Sequence, residues 1–260
     1  MPFTLTDVTL AGGGKIPCHV GGRGDPVLYL HAGGGVRISP AIERLAQSHR
    51  IYMPVMPGFD GSPQNPAIRT MADFADLAAQ VIDAAIERPC DVIGHSFGGW
   101  VASWLAVNHP GKLQLLVLVA PAGFRPDGEG GLPTDLARIR QAMFAHPENA
   151  RPDGKTPETQ AANLAQAHRY TAAATDRDLL TRLGDIKALT LILHGTKDGI
   201  IPLASPRLLK ERIPRSHLAY VYDAAHALDV DQPDRWVRLV GDFLARGEAF
   251  IVNRSGESAA

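Results

Sequence analysis

The stretch GHSFGG, residues 94–99, sets a serine among glycines directly after the apolar run Cys90–Ile93 and directly before a helical pattern. A serine on so sharp a strand-to-helix turn is held in a strained backbone, with its hydroxyl exposed above a sheet. Gly94 and Gly98 are small because larger side chains would collide across that turn. A serine hydroxyl is a weak nucleophile near neutral pH, so it needs a base, and the base needs an orienting acid. TLILHGTKDGIIP places Asp198 in the loop after a buried strand, and LAYVYDAAHAL places His226 in the loop after the last strand. Both then lie at carboxyl ends of strands, the edge on which open α/β sheets build their sites. The chemistry of such a set is acyl transfer, in the chain order Ser, Asp, His.

Competing residues have other readings. Of the ten histidines, His95 lies inside the turn and is expected to point away from the serine hydroxyl. His31 and His194 end strands and are expected to tie down loops, while His146 and His168 fall on a helix surface or a pocket wall. Asp223 reads as a strand-end residue and Asp229 as a cap or a solvent-facing carboxylate. No carboxylate follows the strand ending at Ala120 until Asp127, which leaves Asp198 as the acid. HAGGG, read as a dinucleotide loop, puts Ile38 where a third glycine is required, and Gly12–Lys15 lacks the Ser or Thr of a phosphate loop. No His, Cys or Asp cluster has metal-ligand spacing, and a serine triad needs neither metal nor cofactor.

The elements that must position these residues are short apolar strands alternating with helical patterns. Strands are expected at Phe3–Leu10, Lys15–Val20, Val27–His31, Ile51–Met56, Cys90–Ile93, Leu115–Ala120, Leu189–His194 and Leu218–Tyr222. The first two form a hairpin joined by AGGG, and the later ones read as strands buried on both faces. Helices are expected over Thr70–Arg88, opened by a Thr70/Asp73 capping box, and over Phe97–His109 and Pro233–Arg246. Strand–helix alternation implies right-handed crossovers and an eight-stranded, mostly parallel, doubly wound α/β sheet. Between about residues 122 and 186 the strand signal disappears, and helices are expected near Thr134–Ala145, Pro157–Thr171 and Thr175–Leu183. Residues 1–121 and 187–260 therefore read as the core and 122–186 as an inserted helical cap.

With these residues in place, the chain resembles the α/β-hydrolase family over almost its whole length outside the insertion. Ser96 matches the family's nucleophile, Asp198 its acid and His226 its base. MPGFDGS (56–62) resembles the PGxGxS loop of the family, and HAGGG (31–35) its HG-type oxyanion loop, with Ala32 where glycine is usual. The resemblance implies that the amides of Gly33 or Gly34 join that of Phe97 as oxyanion donors. It also implies hydrolysis through an acyl-enzyme, with a carboxylic ester as the expected substrate. Cleavage of a C–C bond in a diketone, or of a lactone, is an alternative on the same residues; a non-catalytic binding protein is an alternative of another class. Phe97, Trp100, Phe124, Met143, Phe144, Tyr170 and Leu228 are candidates for the pocket wall, although aromatic residues at helical spacing are commonly core. Arg125 is a candidate for a substrate carboxylate, with a surface ion pair as the plainer reading.

The totals bound what else the chain could be. With 260 residues, 45% hydrophobic, there is enough apolar material for one sizeable domain. A formal net charge of -1 supplies no basic excess for phosphate-backbone binding. The longest apolar run, LLVLVA, falls far short of the roughly 20 residues of a membrane helix. Two cysteines make no disulfide framework, and the first residues lack a signal pattern. The expectation is a cytoplasmic protein acting on a small molecule, without nucleic acid or membrane.

Overall fold

The computed structural model describes residues 2–127 and 136–251. Its strands are β1 (Thr4–Thr9), β2 (Lys15–Gly22), β3 (Asp25–Leu30), β4 (His49–Pro54), β5 (Cys90–His95), β6 (Leu113–Val119), β7 (Leu189–Gly195) and β8 (Ser216–Val221). The helices are α1 (Pro40–Leu45), α2 (Met71–Val81), α3 (Phe97–Asn108), α4 (Leu136–Met143), α5 (Pro157–Thr171), α6 (Arg177–Arg182), α7 (Ala204–Arg212), α8 (Leu228–Asp231) and α9 (Pro233–Arg246).

The eight strands form one sheet in the order β1-β2-β4-β3-β5-β6-β7-β8. β2 pairs antiparallel with β1 and with β4, and every other neighbouring pair is parallel. The inner strands β3, β5, β6 and β7 are buried almost throughout, as helices on both faces require. β1, at the edge, carries polar residues and is mostly exposed. From the β3/β5 pair the chain builds outward in opposite directions. Loops leaving strands at such a reversal diverge and open a crevice at the carboxyl edge. HAGGG follows β3 and Ser96 follows β5, so the topology alone brings them together.

The helices cover this sheet as their patterns dictate. α3 is buried nearly all round, packing against β3, β5 and β6 beneath α2. α9 buries Trp236, Val240, Phe243 and Leu244 on one stripe. The expected capping box opens α2, with Asp73 N donating to Thr70 Oγ1 at 3.2 Å and Thr70 N to Asp73 Oδ2 at 2.8 Å. The helix expected to reach Arg88 is α-helical only to Val81. It then widens into one π turn, Ile82–Ile86, closed by Glu87 N on Ile82 O at 2.8 Å with Glu87 at φ 63°. Pro89 keeps the helix from continuing through Arg88, because the residue before a proline resists helical backbone. Three short helices, α1, α7 and α8, carry no pattern long enough to be expected from sequence.

Between β6 and β7 lie α4, α5 and α6. α5 has the expected bounds and is capped by Thr156, whose side chain accepts from Thr159 N. α6 is capped by Asp176, which also accepts from the indoles of Trp100 and Trp104 at 2.7 Å each, anchoring this connection to α3. The start of the helix expected from Thr134, and the tail NRSGESAA, lie outside the described residues. Among the described residues no helix is long and apolar enough to cross a membrane.

Asp91 sits at an irregularity in the β5/β6 pairing, where it accepts from Leu115 N at 3.1 Å. Burial pushes its carboxyl up to about 6, against the lowering effect of that amide. A carboxyl raised above its unfolded value stabilises the fold at low pH and loses that contribution as pH rises through the folded value. Denaturant titrations should therefore show wild type losing stability relative to Asp91→Asn between about pH 4 and pH 6, with a constant difference above that. A difference that does not vary with pH would contradict this reading of Asp91.

Candidate active site

Ser96 adopts φ 54° and ψ −112°. A non-glycine residue there costs on the order of 1–3 kcal/mol and survives only where its surroundings over-determine it. Ser96 N donates to Val119 O at 2.9 Å and Ser96 O accepts from Ala122 N at 3.0 Å, binding the turn to the end of β6. On the other side the turn is pressed against β3. A Cβ on Gly98 would lie 2.1 Å from Leu30 O, and one on Gly94 would lie 2.4 Å from Gly98 O. The collisions expected from sequence are thus real ones. The Ser96 hydroxyl makes no capping bond to α3, and the residue lines a cavity.

Asp198 and His226 lie in the loops after two adjacent strands, β7 and β8. Asp198, in the loop after β7, accepts from Ile200 N at 2.8 Å and Ile201 N at 2.9 Å through Oδ1. Its Oδ2 lies 2.9 Å from His226 Nδ1, and the side chain is fully buried. Burial alone would raise this carboxyl, but the His226 ring, the hydrogen bond to it, His194 and the Ile201 amide outweigh burial and hold it below the usual range. An ionised carboxylate accepts only, so Nδ1 carries the imidazole proton and Nε2 is left as the acceptor. Ser96 and His226 line the same cavity wall without a direct hydrogen bond among the described residues. Such bonds are often long before a substrate arrives.

Two residues hold the histidine loop. His95 Nε2 donates to His226 O at 3.0 Å, with the two rings 5.1 Å apart. Burial first, then the His226 ring, push His95 down to about 4, so it stays a neutral donor. Asp231 accepts from Ala225 N at 2.7 Å and from Ala145 N and His146 N at 2.9 Å, while Ala227 N donates to Met143 O at 2.9 Å. The end of α4 is thereby stitched to the loop carrying His226.

The competing titratable residues find other work. His31 takes the Met56 amide on Nε2 at 3.1 Å, so its Nδ1 donates to Ala32 O at 2.8 Å. His194 donates to Ile201 O at 3.1 Å inside the Asp198 loop. His168 lines the cavity, and His146 contacts Asp223 Oδ2 at 2.8 Å. Asp223 occupies the turn after β8 and is bound by Lys197 as well. Asp127 pairs with Arg177 at 2.9 Å on the surface. Asp229 departs from expectation: it is 5% exposed, neither cap nor solvent-facing, because α8 is wedged against α1 and α9. Arg125 is also buried, and it donates to Ile200 O.

Gly33, Gly34 and Phe97 line the cavity beside Ser96. The Phe97 amide is the first of α3 and has no acceptor within the helix. The cavity holds about 510 Å³, with walls dominated by Ile139, Met143, Phe144, Leu164, Ala167 and Ile200. Of the residues expected on this wall, Phe97, Met143 and Phe144 are there. Trp100, Phe124, Tyr170 and Leu228 are not. Trp100 packs on Gly123, Phe124 and Leu228 are fully buried in the core, and Tyr170 stacks on Phe74 while donating to Ile68 O at 3.0 Å. Aromatic residues at helical spacing go where area can be buried, and here that is the interior. Among the described residues no cluster of side chains could hold a metal ion.

The profile of the alpha/beta hydrolase family matches residues 27–239. The 2-hydroxymuconate semialdehyde hydrolase of Pseudomonas putida is 31% identical over 92% of this chain and 94% of its own. The pimeloyl-[acyl-carrier protein] methyl ester esterase of Aeromonas hydrophila is 26% identical over 86% and 96%. Among solved structures, a meta-cleavage product hydrolase from Pseudomonas fluorescens shares the fold at a TM-score of 0.76 and 23% identity, covering 92% of this chain and 97% of that one. The chain belongs to the alpha/beta hydrolase family. Its reaction class is hydrolysis.

The Asp198–His226 geometry has a direct consequence. Asp198→Asn should leave the fold intact but favour the wrong imidazole tautomer, lowering kcat on the order of 10⁴-fold. Asp223→Asn, on the surface pair with His146, should stay near wild type. Comparing kcat of the two purified variants checks this; an active Asp198→Asn with a dead Asp223→Asn would reassign the acid.

Proposed function

We propose that the protein hydrolyses small to medium carboxylic esters through a covalent acyl-enzyme on Ser96. The observation that carries this reading is the buried His226–Asp198 pair, closed at 2.9 Å, whose ring shares a cavity wall with Ser96. Ser96 Oγ attacks the ester carbonyl as His226 Nε2 takes its proton, and that proton leaves with the alkoxide. Water, deprotonated by the same nitrogen, then attacks the acyl carbon; the bond to Ser96 Oγ breaks, Oγ takes back the proton from Nε2, and the acid leaves. Asp198 stays ionised throughout and stabilises the imidazolium. The amide of Phe97, with Gly33 or Gly34, receives the charge that develops on the carbonyl oxygen, at about 3–4 kcal/mol for one donor. Residues 122–186 act as a cap on a core of 1–121 and 187–260.

The apolar wall suits an acyl group, and a relative named as a methyl ester esterase agrees with ester chemistry. Hydrolysis of a C–C bond in a diketone is the second reading, on the same three residues. Two observations favour it: the 31% identity to a semialdehyde hydrolase, and Arg37 and Arg140 on the cavity wall, which suit an anionic substrate. Turnover of a panel of esters, lactones and diketones separates the two.

If the cavity holds the acyl group, chain length should be filtered. Each methylene is worth roughly 1–3 kcal/mol until space runs out. A series of p-nitrophenyl esters from acetate upward should thus rise in kcat/KM, peak, and fall steeply, and Ser96→Ala should lose on the order of 10⁶ in turnover. A flat profile extending to palmitate would contradict the filter, and an active Ser96→Ala would contradict the mechanism.

A further inference from the structure

The loop carrying Gly33 and Gly34 is held at several backbone groups from the side of α5 and the segment before it. Ala32 O accepts from His31 Nδ1 at 2.8 Å and from Gly35 N at 3.0 Å. Gly34 O accepts from Asn163 Nδ2 at 2.9 Å. Val36 N donates to Asp60 Oδ2 at 2.7 Å, and Val36 O accepts from Lys155 Nζ. The amides of Gly33 and Gly34 have no acceptor among the described residues. The loop is thus tied at Ala32, Gly34, Gly35 and Val36, while Gly33 and Gly34, whose amides stay unbonded among the described residues, line the cavity.

Asn163 lies at the centre of this arrangement. It is fully buried on α5. Besides Gly34 O, its Nδ2 donates to Asp60 Oδ1 at 2.7 Å, and its Oδ1 accepts from Asp60 N at 2.8 Å. Asp60 itself sits at φ 50°, a backbone that non-glycine residues seldom adopt. A Cβ on Gly35 would fall 2.1 Å from Asp60 Oδ1 and 2.6 Å from Asn163 Nδ2, so the three residues leave no slack. An amide that spends both donors and its acceptor in a closed triangle fixes whatever is attached to it.

We infer that Asn163 is a positioning residue for the oxyanion loop: through Gly34 and Asp60 it sets the direction of the Gly33 and Gly34 amides. α5 is then part of the machinery as well as a wall of the cavity. The inference rests on the serine-hydrolase reading above. Donors aimed at charge that develops only in the transition state act on kcat, and substrate or product without that charge gains little from them.

Two variants test it: Asn163→Leu, which keeps the volume without hydrogen bonds, and Asn163→Asp, which keeps the shape but loses both donations. Each is compared with wild type for kcat, KM, melting temperature, inhibition by product carboxylate, and affinity for a boronic acid that forms a tetrahedral adduct on Ser96. The expected result is a fall in kcat on the order of 10²-fold with KM within about threefold. Boronate affinity should weaken in parallel with kcat, and product inhibition should not change. Where Asn163→Leu fails to fold, Asn163→Asp decides. Unchanged kcat per folded enzyme overturns the inference, whatever happens to the melting temperature. So does a raised KM at wild-type kcat, or a common loss of boronate and product affinity. Ser96→Ala separates the levels. If it is inactive and binds no boronate while the Asn163 variants match wild type, only the role of Asn163 falls. If it remains active, the serine-hydrolase reading falls and the inference with it.

Discussion

Ser96 is held at φ 54° and ψ −112° by contacts on both flanks: Leu30 O against Gly98 on the β3 side, and Val119 O and Ala122 N on the β6 side. None of these would be within reach unless β5 lay between β3 and β6, as the strand order places it. The strained turn and the sheet topology therefore depend on each other. A residue at such a backbone angle relaxes unless the packing around it forbids relaxation. In exchange, the turn lifts a hydroxyl to the carboxyl edge and starts α3 there, leaving its first amide unbonded.

The second dependency is electrostatic. A carboxylate with no exposed surface needs several donors, and Asp198 has two backbone amides and one imidazole. Those donors keep it charged, and its charge selects the imidazole tautomer. The loops concerned are short and would wander if left alone. His95 and Asp231 prevent this by holding the His226 carbonyl and the Ala225 amide. His95 connects the His226 loop to Ser96 through the backbone, since it is the residue immediately before Ser96. Asp231 connects the same loop to the end of α4, so the helices between β6 and β7 bear on the geometry of the site from two directions.

The strands were legible because apolar runs bounded by turn residues have few other uses, and all eight occur close to their expected bounds. The placement of Ser96, Asp198 and His226 beyond the carboxyl ends of β5, β7 and β8 was legible because apolar runs fix the strands they follow. The pocket wall was only half legible. Met143 and Phe144 lie at the cavity-facing end of α4, whereas Trp100 and Phe124 had equal claims by type and went to the core. Asn163 left no signal at all. In PETQAANLAQAHRYT it is one polar residue among many, and only the approach of Asp60, over a hundred positions earlier, makes it different. Asp231 and Asp229 illustrate the same limit: carboxylates two residues apart, both buried, for reasons set by α1, α4 and α9. Local pattern reveals elements and motif residues. The polar contacts that bring distant loops into register depend on tertiary approach, which single-sequence periodicity does not encode.

The central claim, that this buried relay makes Ser96 the one activated nucleophile of the chain, can be tested directly. Wild-type protein is treated with a fluorophosphonate near neutral pH, its intact mass is recorded, and the adduct is located by peptide mapping. The account predicts one adduct per chain, on Ser96, formed far more slowly in His226→Ala. No adduct on folded protein, an adduct on another residue, or equal labelling without His226 would contradict it.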